Sequence, residues 1–299
     1  MGYRRRRTFH FAAPVPQSYT DKASQRVGQI TEYKYKSIED FMRFVLAEEV
    51  FEGAHSLSSG KFYGNMTFDE AVEKIKTGCA ETSKKMKTLY NDINATSAKV
   101  LKPELTFMDE GLFFDTATFL EGTPEYWIGE ELTQVEARGS KGVVRIYANI
   151  SSQCSVEDWQ YLKRGANIAQ AVETLEISGY ATEIIACAGF GQYGGNDIGN
   201  GQRHNCYITI KEPDQMLDFD KLAFIIGNIT FFRRIMFRWL ERLPEDARNV
   251  LAVSASGYYA YPANVPNEEG IFLTRASYGM SQNEWKKILS QYVTFEEVA

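Results

Sequence analysis

The chain has 299 residues, 44% hydrophobic and 24% charged, with a formal net charge of −6. That length and composition support a substantial buried core in one large or two smaller domains and exclude a disordered or collagen-like chain. Four cysteines, Cys79, Cys154, Cys187 and Cys206, are too scattered for a disulfide framework and contain no CxxC pair, so a reducing compartment is expected.

Apolar runs such as Leu222-Ala223-Phe224-Ile225-Ile226 are too short and interrupted to span a bilayer, and no apolar h-region follows the N-terminal arginines. The expectation is a non-secreted protein with no membrane partner, located in a host cytoplasm or in a virion. Charge is uneven along the chain. Arg4, Arg5, Arg6 and Arg7 form an unbroken basic run, and setting these four aside leaves about −10 on the rest. An acidic body repels phosphate backbones, so any nucleic-acid contact is expected through the arginine run alone.

Residues 1–30 mix arginines, Pro14, Pro16, Gln17, Ser18 and Lys22 without helical or strand period, and read as a basic extended arm. A helical N-terminal region follows over 31–100. Ser37 with Asp40 three residues on resembles a capping box ahead of a helix near 37–49. Thr67 with Glu70 caps a second, which Gly78 ends, and Ala80–Asn94 forms a third. Lys84, Lys85 and Lys87 on that third helix read as a solvated face.

Residues 101–299 read as an α/β domain. Leu112-Phe113-Phe114 forms a short strand leading into a helical turn at Asp115–Leu120, and Glu130–Ser140 reads as a connection. Val143–Ile150 is a strand, 156–177 a helix and Tyr180–Cys187 a second strand, which together predict a βαβ unit. Further on come a glycine-rich loop at Gly189–Gly201, a strand at Cys206–Ile210, helices at Asp218–Gly227 and Phe231–Leu243, strands at Leu251–Val253 and Ile271–Leu273, and a capped helix at Ser281–Tyr292.

The polar turn Asn149-Ile150-Ser151-Ser152-Gln153 lies at the carboxyl end of the first βαβ strand, where open α/β sheets place their binding crevice. Gly189-Phe190-Gly191-Gln192-Tyr193-Gly194 contains a GxGxxG string, but no helix-forming segment follows it, so a dinucleotide cofactor is not expected. Neither GxxxxGK[ST] nor HExxH is present. Histidines number three, His10, His55 and His204, and a Cys154 nucleophile served by His204 is outweighed by a buried cysteine beside a surface histidine. Arg234, Arg238 and Arg242 repeat every four residues, with Arg233 beside them. They read as a ridge that locks the helix to its surroundings in preference to a phosphate contact.

Several of these segments together resemble an uncharacterised family of phage and mobile-element proteins whose central part is similar to a von Willebrand factor A (vWA) domain. The carriers are Thr67-Phe68-Asp69-Glu70-Ala71 with Gly78, Phe119-Leu120-Glu121-Gly122-Thr123-Pro124-Glu125, Arg145–Ser151, Arg164-Gly165-Ala166, Leu175-Glu176 with Gly179-Tyr180, and Phe232-Arg233-Arg234-Ile235 with Phe237 and Glu241. The resemblance implies a mainly parallel, Rossmann-related sheet flanked by helices. A vWA domain places Asp-x-Ser-x-Ser at the end of its first core strand to orient a divalent cation. Here those positions are Asn149, Ser151 and Gln153, a degenerate metal site that lacks the carboxylate a hard cation needs. Asp197 in the glycine loop is the remaining candidate donor.

The function expected from sequence is a non-enzymatic interaction or structural protein of a virus or mobile element, without a cofactor. It would bind a protein partner, or assemble with itself, through Asn149, Ser151, Ser152, Gln153, Tyr193 and Asp197. One alternative is a nucleic-acid-associated virion or replication protein using Arg4–Arg7; a weaker one is a metal-dependent hydrolase or nuclease built from Asp115, Asp197 and other carboxylates.

Overall fold

The computed structural model describes residues 16–20, 27–47, 60–96, 104–108, 113–114, 116–120, 127–131, 141–152, 155–191, 202–251, 259–260 and 270–293. Strands β1 (Pro16–Thr20) and β2 (Val27–Tyr35) precede helices α1 (Ile38–Val45), α2 (Phe68–Thr77) and α3 (Ala80–Thr96). Then come β3 (Glu104–Met108), β4 (Phe113–Phe114), α4 (Thr116–Leu120) and β5 (Trp127–Glu131), and the βαβ unit β6 (Val143–Asn149), α5 (Asp158–Ile177) and β7 (Ala181–Gly191). The rest comprises β8 (Gln202–Lys211), α6 (Phe219–Ile225), a π-helical stretch Phe231–Met236 continuing into α7 (Phe237–Glu241), α8 (Glu245–Leu251), β9 (Tyr259–Ala260), β10 (Gly270–Leu273) and α9 (Gln282–Leu289).

The main sheet runs β1-β2-β8-β7-β6-β10, with β9 also pairing β7, and β3-β5-β4 form a separate antiparallel sheet. Pairs β10–β6, β6–β7 and β2–β8 are parallel, whereas β7–β8 and β1–β2 are antiparallel. The expected βαβ unit is present: Val143 pairs with Ala181 and Asn149 with Cys187, joined through α5. Counted from β6 and leaving aside the two-residue β9, the order β8-β7-β6-β10 is 3-2-1-4, as at the start of a doubly wound sheet, with β8 running antiparallel to β7. Its strand order reverses between β6 and β10.

Burial follows the strand period. Val144, Ile146 and Ala148 of β6 enter the core with Ile184 and Ala186 of β7, while Val143 and Arg145 are exposed, and Arg145 pairs with Glu183 at 2.8 Å. Helix α5 is buried over most of its circumference between Arg164 and Leu175, as expected for a helix enclosed by neighbours. Its start is fixed by Gln160, whose side chain accepts from the Glu157 amide at 2.9 Å. The capping boxes read at Thr67 and Ser281 are formed by Glu70 and Glu284.

Several sequence expectations change. Residues 1–30 were expected as an arm, yet β1 lies within them and β2 starts at Val27. The boundary at residue 30 therefore falls inside a strand of the main sheet. The missing signal is physical: β2 pairs with β8, more than 170 residues away, and nothing local announces that partner. Leu251, expected in a strand, ends α8; Glu130 and Glu131, expected in a connection, belong to β5. Gly189–Gly191, expected as loop, continue β7 because β8 and β9 pair with them on either side.

Two glycines are fixed by close approach. A Cβ on Gly165 would lie 2.5 Å from the Met86 sulfur where α5 passes Gly227. At Gly270, a Cβ would lie 2.2 Å from the Arg145 carbonyl oxygen, a backbone atom of the paired strand. Gly270→Ala is therefore expected to cost about 1–3 kcal/mol in urea denaturation. Gly279→Ala, with open space around it, should stay within about 0.5 kcal/mol. Equal stability of the two variants would contradict this placement of β10.

Candidate functional site

The carboxyl end of β6 is closed over. Asn149, Ser151 and Ser152, expected as a polar rim facing a partner, are all buried. The Asn149 side chain accepts from the Ser151 amide and donates to the Ser151 carbonyl, both at 3.4 Å, so it is spent on its own turn. Two tyrosines cover the rest. The Ser152 hydroxyl is hydrogen-bonded to Tyr161 of α5, and Tyr278, which follows β10, donates to the Ile150 carbonyl at 3.3 Å. The two rings meet edge to face, 4.9 Å between centroids. Gln153, Tyr193 and Asp197 lie outside the described residues, as do Arg4, Arg5, Arg6, Arg7, His10, His55, Asp115 and Cys154.

Beside this turn stands Arg164, which sequence reasoning quoted without assigning it a role. It is fully buried at the point where the strand order reverses. Its Nη2 donates to the Leu273 carbonyl at the end of β10 (3.3 Å), and its guanidinium lies over the Tyr278 ring, 4.4 Å from the centroid. Nε and Nη1 have no hydrogen-bond partner among the described residues, and neither has the buried Ser151 hydroxyl. A signal for Arg164 existed: it falls on the buried stripe Tyr161, Gly165, Ile168, Val172 and Leu175, where a cation is expensive.

The titratable groups nearby are held in unreactive forms. Burial pushes the Cys187 and Cys206 thiols up, Cys187 despite the Arg164 charge, whereas a nucleophilic cysteine needs its pKa lowered. Burial likewise raises Tyr161 and Tyr278, with Arg164 partly opposing it. His204 is buried rather than at the surface. Its Nδ1 lies 3.3 Å from the Tyr33 hydroxyl, and burial lowers its pKa. Among the described residues, no three His, Cys, Asp or Glu side chains are grouped to hold a metal.

The arginine ridge does lock its helix. Arg233 donates to the Phe62 carbonyl (3.0 Å), Arg234 to that of Met66 (2.8 Å) and Arg242 to that of Val45 (3.2 Å). Arg233 and Arg234 also sit over the rings of Phe62 and Tyr63, at 4.4 and 4.3 Å, and Arg238 pairs with Glu241 at 3.2 Å. These side chains join the segments around α1 and α2 to the main body.

One large apolar side chain remains outside at this edge. Trp159, on the first turn of α5, is 52% exposed and donates from its indole to Glu157 at 2.7 Å. No described helix is long and apolar enough to cross a membrane.

His204 gives a pH test. Its folded pKa lies below the ordinary 6.5, so its contribution is fully present above that value and is lost as pH falls from 6.5 toward the folded pKa. Urea denaturation between pH 8 and 5 should show stability falling on the acid side by up to ~1.4 kcal/mol per pH unit, with a shallower slope in His204→Phe. Equal slopes would contradict the burial of His204.

No curated protein and no solved structure matches the chain. A family described as a domain of unknown function (DUF7192) matches residues 17–296, nearly its whole length, and the chain belongs to that family.

Proposed function

We propose that this chain is a non-enzymatic interaction protein of a virus or mobile element, located in host cytoplasm or virion, which binds a protein partner at the carboxyl-end edge of its main sheet. Trp159 carries the proposal. An indole more than half exposed beside the strand-order reversal is the kind of side chain that dominates protein interfaces. Asn149, Ser151 and Ser152 form the inner wall of this edge. Gln153, Tyr193 and Asp197 belong to the segments that follow β6 and β7.

The vWA likeness is part of the same proposal, supported by the 3-2-1-4 order and by the polar turn after β6. On this account the edge works without a divalent cation: Asn149 replaces the carboxylate and bonds to its own turn, and a buried guanidinium stands close by. Cys187, Cys206 and His204, held as neutral thiols and a neutral imidazole, favour binding over catalysis. For nucleic acid, the Arg4–Arg7 run remains the proposed contact. The ridge on the π-helical stretch and α7 is engaged with backbone carbonyls and rings.

Affinity capture from host cells separates the two edges. Trp159→Ala should lose a partner retained by the wild type. Met216→Ala, an 86% exposed residue in the turn beyond β8 at the opposite edge, should keep it. Retention by Trp159→Ala, or loss in both variants, would contradict the proposal.

A further inference from the structure

We draw no further inference here: the strongest candidate, the half-buried row Phe272, Tyr147, Ile185 and Thr209 that crosses β10, β6, β7 and β8 on the sheet face turned away from the buried Ile146 and Ala148, carries nothing because nothing in the structure shows what covers that face.

Discussion

Burying positive charge is the constraint around which this chain is organised. Lys211, Arg164, Arg233 and Arg234 are each at least 95% enclosed. A cation removed from water costs several kcal/mol unless its donors are met, so each of these side chains dictates what must surround it. Lys211 is met by Glu176 and the Thr182 carbonyl, which ties the end of α5 to β7 and β8. Arg233 and Arg234 are met by carbonyls and rings from residues 62–66, and Arg242 by the Val45 carbonyl. These bonds, with the parallel pairing of β2 on β8, make the N-terminal segments part of one body with the main sheet.

Arg164 is the exception to that pattern, and its position gives the exception meaning. It stands where β6 and β10 diverge from the reversal of strand order, between a turn of buried hydroxyls and two tyrosines. Elsewhere polar groups at this edge are used up locally: Asn149 on Ser151, Ser152 on Tyr161, Tyr278 on Ile150. Among the described residues of this edge, two guanidinium nitrogens of Arg164 and the Ser151 hydroxyl have no hydrogen-bond partner. The wall chemistry is therefore basic, and the residue outside it, Trp159, is apolar and exposed.

The sequence was most legible where the physics is local. β6, α5 and β7 stand out because an apolar alternation ends in a polar turn and a buried helix follows. Thr67, Asp218 and Ser281 announce helix starts through caps that bond within three residues. β2 was missed because it pairs with β8, far along the chain, and β1 because it pairs with β2; β5 was missed because Glu130 and Glu131 read as a polar connection, whereas they pair with Leu105 and Glu104 of β3. At the site, the turn was located correctly but its exposure was not. Residue type gives hydroxyls at 151 and 152, whereas the covering rings of Tyr161 and Tyr278 come from other elements. Arg164 was readable in principle as a cation on an apolar helical stripe, and composition alone does not separate it from its neighbour Lys163.

The central claim is that each buried cation dictates what must surround it. Urea denaturation of Glu176→Gln, which leaves Lys211 enclosed without its carboxylate, should show a larger loss of stability than the double variant Lys211→Met/Glu176→Gln, in which both charges are gone. An equal loss in the two, or a greater loss in the double variant, would contradict the account.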